Sequence, residues 1–189
     1  VSDMGTLVLI LGVALWWAAH LFKRVMPEKR AAMGDQGRLA ATGAIVLSVI
    51  LMVIGYKWAD PIWLWTRPSW MIHLNNLLVF IAFYMFAVSG MKTNLARKIR
   101  HPQLTGFKAW ATAHLLVVGS VQGVILFGGL LAWAVVSVIV INRANRDWTR
   151  PPEAPMWREG VALVSAVFLM LVVGIIHGWL GPWPFGGGA

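Results

Sequence analysis

"GTLVLILGVALWWAAHLFKR", residues 5–24, decides what kind of protein this is. Its first eighteen residues carry no Asp, Glu, Lys or Arg, and the run then ends on Lys23 and Arg24. A helix rises about 1.5 Å per residue, so ~20 apolar residues cover the ~30 Å of hydrocarbon in a bilayer. The stretch therefore predicts a membrane-crossing helix. Working outward, apolar runs of the same kind recur at 40–56, 71–90, 106–119, 124–141 and 160–177. The fourth and fifth runs are separated only by Gly119-Ser120-Val121-Gln122-Gly123, which reads as a tight helical hairpin. Composition agrees: 59% of residues are hydrophobic and 12% charged, against roughly 25% charged in soluble proteins. The expectation is an all-α integral membrane protein, a bundle of about six transmembrane helices forming one domain over residues 1–189.

Lys and Arg near helix ends stay on the cytoplasmic side and so orient a bundle. Lys23, Arg24, Lys29, Arg30 and Arg38 follow the first run. Lys92, Arg97, Lys98, Arg100 and Lys108 lie between the third and fourth, and Arg143, Arg146, Arg150 and Arg158 between the fifth and sixth. Only Lys57 and Arg67 fall elsewhere, so both termini are expected on the non-cytoplasmic side. The opposite face carries Trp58, Trp63, Trp65, Trp70, Trp179 and Trp183, suited to the headgroup level because indole is apolar in body and polar at its N–H. The formal charge of +9 is thus accounted for by three loops facing anionic lipid heads, with no nucleic-acid partner. The chain has no Cys, hence no disulfide, thiolate ligand or c-type haem attachment.

Asp3 precedes the first run and the basic cluster follows it, the reverse of a cleaved signal peptide, so this helix is expected to stay in place. The terminal "GGGA" reads as a low-complexity tail. The segment at 142–160, with Pro151, Pro152 and Pro155, reads as a cytoplasmic connector that cannot be helical throughout.

Polar groups inside a bilayer are costly and usually functional, which directs attention to five histidines. His101 lies in a basic loop. His73 and His177 sit near outer helix ends, as interfacial imidazoles or as a second site. His20 and His114 lie within the first and fourth runs, each inside the repeated string W-x-x-A-H-L with a Trp four residues earlier, Trp16 and Trp110. The charge rule makes these two helices antiparallel, and their distances from Lys23 and Lys108 set the imidazoles at depths within ~5 Å of each other. Ala18, Ala19, Ala111 and Ala113 thin the surface beside them, leaving room for a flat ligand. With no carboxylate in either run, two imidazoles fit the axial positions of a b-type haem better than zinc, which needs four ligands or three plus water. Lys23 and Arg24, three and four residues past His20, are cations for haem propionates. The alternative is that each His hydrogen-bonds a neighbouring helix and the tryptophans are packing.

Four strings carry a resemblance to a known family: "AAHLFKR" at 18–24, "MGDQGRLAATGAIVLSVILMVIGY" at 33–56, "PIWLWTRPSWMIHL" at 61–74, and above all "RHPQLTGFKAWATAHLLVVG" at 100–119. Over nearly its full length the chain resembles the NnrU family of multi-pass membrane proteins, related to the plant and cyanobacterial 15-cis-ζ-carotene isomerase. The resemblance implies haem b as cofactor, ligated by His20 and His114; helical spacing is what sets Trp110 and Arg24 beside it. It also implies a place in the bacterial inner membrane and a supporting part in nitrite and nitric oxide metabolism, with respiratory or denitrification membrane proteins as partners. The isomerase carries a Cys three residues before its second His, where this chain has Ala111. Val118 stands where family members commonly have Asn.

A second reading is a haem-dependent cis–trans isomerase acting on a lipophilic polyene. A third comes from "IRHPQLTG", which resembles the R-H-P-x-Y-x-G string of membrane methyltransferases using S-adenosylmethionine, with Arg100, His101, Pro102 and Gly106 as matching residues. Leu104 replaces the Tyr of that string, and Glu153 and Glu159 stand alone where paired Glu would follow. Pro102 also reads simply as a helix start.

Overall fold

The computed structural model describes residues 2–186; positions 187–189 of the glycine tail lie outside the described residues. Among these, every element is helical apart from an isolated antiparallel bridge between Trp63 and Ser120. Five helices are long and apolar enough to cross a membrane: Met4–Val25, Gly34–Trp58, Trp70–Met91, Val121–Ala144 and Trp157–Leu180. This is a multi-pass membrane protein. The fourth predicted run forms a shorter helix, Pro102–Val117, whose 16 residues reach only about 24 Å. The helices fall into two compact units, residues 1–66 with 118–144, and residues 67–117 with 145–189.

The first unit begins with α1 (Ser2–Val25), the short α2 (Pro27–Ala32) and α3 (Gly34–Trp58). Helix α1 runs past the apolar stretch to include Lys23 and Arg24 in its last turn, where cations oppose the partial negative charge of the helix end. Helix α3 starts six residues before its apolar run, in a polar turn tied by the Arg38–Asp35 ion pair at 2.8 Å. Gly34, at φ +52°, makes the left-handed junction between α2 and α3.

Small residues let α1 and α3 touch backbone to backbone. Gly5 faces Ala59, Leu9 faces Gly55 and Gly12 faces Met52, an antiparallel register in which a Cβ on any of these glycines would meet main chain. Leu9 and Ser48 are fully buried there, and the Ser48 hydroxyl donates to the Ile45 carbonyl within its own helix at 2.6 Å. Since lipid competes for apolar surface, such close approach is what holds membrane helices together. The outward faces, with Leu7, Leu11, Val46, Leu47, Ile50 and Val53 exposed, suit acyl chains.

The unit is completed by α6 (Val121–Gly123), a π-helical turn at Val124–Gly128 and α7 (Gly129–Ala144), which run on as one rod. Residues 121–123, expected in a hairpin loop, are helical, and the break is confined to 118–120. The cause is local: the Ser120 hydroxyl accepts from the Gly123 N–H at 3.3 Å, an N-cap. The extended segment after α3 then clamps the break, with Leu64 N–H donating to Gly119 O at 2.7 Å and Val121 N–H to Ile62 O at 2.9 Å. Helix α7 is anchored on α1 by Trp17, whose Nε1–H donates to Gly129 O at 2.9 Å.

The second unit contains α4 (Trp70–Met91), a 3₁₀ turn at Asn94–Arg97, α5 (Pro102–Val117) and α8 (Trp157–Leu180). Helices α4 and α5 meet at Gly106, where a Cβ would lie 2.7 Å from Ala82 O and 3.0 Å from Met85 Cβ. Met85, Val88 and Ala96 form a core with Ile81, Tyr84, Leu95 and Ile99. The proline-bearing connector is non-helical from 145 to 155 and is pinned by side chains. Asn94 donates through Nδ2 to Ala154 O at 2.7 Å and accepts from Ala154 N–H at 2.9 Å. Arg97 pairs with Glu153 at 2.6 Å. Glu159, in the first turn of α8, accepts from Leu95 N–H at 3.0 Å and from the Tyr84 hydroxyl at 3.2 Å.

Hydrogen bonds to a charged acceptor are worth roughly 1.5–3 kcal/mol each, and Glu159 also sits at the positive end of its helix. Glu159→Ala is therefore expected to destabilise the protein by about 2–4 kcal/mol, read as a lower thermal midpoint in detergent. Glu159→Gln, which keeps an acceptor for Leu95, should recover much of that loss.

Candidate functional site

The two W-x-x-A-H-L strings fold into the same local arrangement. On α1, His20 curls back so that Nδ1 lies 2.9 Å from the carbonyl of Trp16. On α5, His114 Nδ1 lies 2.9 Å from the carbonyl of Trp110. A carbonyl can only accept, so in the neutral ring Nδ1 carries the proton and the lone pair is placed on Nε2. That is the tautomer of an imidazole that ligates metal through Nε2, with the backbone carbonyl as the outer partner fixing the ring.

Each ring is braced by the indole one turn earlier, which shares its helical face. Ring centroids are 4.0 Å apart for Trp16 and His20, and 5.0 Å apart for Trp110 and His114. Phe107 extends the second cluster, 5.2 Å from Trp110. In the first unit Trp133 of α7 meets His20 edge-on at 4.8 Å and Trp16 at 5.3 Å. Trp133 is buried and was not singled out from the sequence, since nothing in an apolar run marks which indole will reach a histidine more than a hundred residues away. Of the neighbouring alanines, Ala111 and Ala113 are fully buried by packing, Ala19 is half-buried and Ala18 is exposed.

The other histidines are placed differently. His73 is exposed in the opening turns of α4. His177, in the last turn of α8, points Nδ1 at Pro182 O at 2.8 Å and so caps the turn that follows. His101 precedes α5 and its carbonyl accepts from Thr105 N–H at 2.9 Å. Arg24 lies with Lys23 on an open pocket at the end of α1. The six tryptophans read as interfacial, Trp58, Trp63, Trp65, Trp70, Trp179 and Trp183, are all exposed.

Three of the residues shared with the methyltransferase string make structural contacts. Pro102 is the first residue of α5, Gly106 admits α4, and the Arg100 guanidinium donates to the carbonyls of Asn145 and Arg146. Among the described residues no three His, Asp or Glu side chains gather into a metal-holding group. A porphyrin iron needs only one or two protein ligands, so lone imidazoles of this tautomer suit it.

The family model of the NnrU protein matches residues 8–184. The chain belongs to the NnrU family. The match runs through both units and includes His20, His114 and all three tryptophans that brace them. No curated protein and no solved structure matches this NnrU chain significantly.

Proposed function

We propose that this NnrU-family protein binds a b-type haem in the bacterial inner membrane, with His20 and His114 as the residues that would hold it, in support of nitrite and nitric oxide metabolism. One observation carries the reading: two intramembrane imidazoles hold the same tautomer by the same hydrogen bond to their own helix, one turn beyond a tryptophan. Held by these imidazoles, a haem would supply one-electron redox chemistry.

The chain's own residues then have distinct tasks. The carbonyls of Trp16 and Trp110 hold the two Nδ1 protons and aim Nε2. Trp16, Trp110 and Trp133 exclude water and present apolar ring surface to a flat ligand. Arg24 meets a propionate. Ala111 offers no ligand, so exchange with a cysteine is not available to this chain. In this reading α5 serves as the sixth span, the basic loops face the cytoplasm and both termini lie on the other side.

Protein purified in mild detergent from haem-replete cells is expected to show a Soret band that sharpens and shifts on dithionite reduction, with about one haem per chain. A colourless preparation would remove the proposal.

A further inference from the structure

Beyond the haem reading, and centred on Arg30 rather than on the Arg24 that reading uses, we infer that the end of α1 forms a binding site for the phosphate of an anionic phospholipid. A pocket of about 340 Å³ is lined there by Lys23, Arg24, Pro27, Arg30 and Ala31. Three of its five lining residues are cations and none is a carboxylate. Among the described residues the side-chain ion pairs are Arg38–Asp35 and Arg97–Glu153, so none of the three cations is in one, and Glu28 of α2 does not line the pocket.

The pocket is built by the chain reversal after α1. Helix α1 ends at Val25, Pro27 opens α2, and α2 carries Arg30 back over the start of α3. There Nη1 of Arg30 donates to Gly34 O at 3.1 Å. The guanidinium lies over Gly37, where a Cβ would stand 2.9 Å from Nη1. Arg30 is half-buried and held in place, and its remaining donors are pre-set for an oxyanion.

Two features select a lipid over a soluble anion. The pocket sits where an apolar span leaves the hydrocarbon, which is the depth of the phosphates on either face of the bilayer. The chain around it also exposes Val25, Met26, Met33 and Leu39, apolar side chains that a free phosphate cannot use and acyl chains can cover. Three clustered cations repel the ammonium of a zwitterionic headgroup, so the fitting lipid is one with net negative charge, held through its phosphodiester.

Native mass spectrometry of the full chain, delipidated and titrated with phosphatidylglycerol or phosphatidylcholine, tests this. Phosphatidylglycerol should remain bound and phosphatidylcholine should not, and excess inorganic phosphate should fail to displace the lipid. Arg30→Gln should lower retention ~5-fold and Arg30→Gln with Lys23→Gln ~25-fold, each cation contributing a similar factor. Arg30→Lys should keep most of it, separating charge from a folding defect, and Arg143→Gln, in the last turn of α7, should leave it unchanged. Equal retention of both lipids, displacement by inorganic phosphate, or full retention by the double variant would each overturn the assignment.

Discussion

His20→Ala and His114→Ala, purified as the wild type is, are each expected to lose the Soret band or to keep it at a tenth or less of wild-type intensity, whereas His73→Ala and His177→Ala keep the full band. Even an outer partner of a metal-ligating His is worth ~10–100-fold in metal affinity, so removal of the ligand itself should cost at least that much. The glycine variants at the same positions add a readout that a merely structural histidine would not give. Free imidazole can occupy the vacated space and ligate iron, so His20→Gly and His114→Gly should regain the band when imidazole is supplied. Equal loss from all four alanine variants, or a full band in the variant lacking both His20 and His114, would show that the wrong pair has been chosen.

Much of this architecture could be read before any coordinates, because in a bilayer the backbone must satisfy its own hydrogen bonds and the apolar run then equals the helix. Five of the six runs became helices long enough to span. Helix ends were legible less often. Polar residues such as Asp35 and Arg38 extend α3 outside the apolar run through an ion pair that hydropathy does not register. Residues 121–123 joined a helix because Ser120 caps it and the segment after α3 holds Gly119 and Val121. Of the candidate site, His20, His114 and the two indoles one turn before them follow from helical periodicity alone. Trp133 does not, since its approach to His20 depends on how Gly129 and Trp17 seat α7 on α1. The roles of Glu153 and Glu159 were equally hidden: both are spent on pinning the connector and the 3₁₀ turn, contacts between segments some sixty residues apart.

A large loss of stability is also expected from a single added methyl group, Gly55→Ala. Alanine is the better helix former by about 1 kcal/mol, so on helix propensity alone the change would stabilise α3. Geometry opposes it. The new Cβ would stand 2.7 Å from Leu9 Cα and closer still to Leu9 N, where carbon atoms in contact need ~3.5–4.0 Å. The obstacle is main chain, which cannot rotate aside as a side chain can, so α1 must back away from α3. Retreat there also opens the contacts at Gly5 and Gly12, since all three lie along one antiparallel seam. Overpacking a well-fitted contact costs about 1–3 kcal/mol, and the seam should push Gly55→Ala to the upper end of that range, a drop of roughly 10 °C in thermal midpoint. Gly43→Ala in the same helix supplies the control, because a methyl group added there would meet nothing within 4 Å and propensity should act alone, leaving the midpoint unchanged or slightly raised. If the two variants melt together, close backbone approach is not what joins α1 to α3.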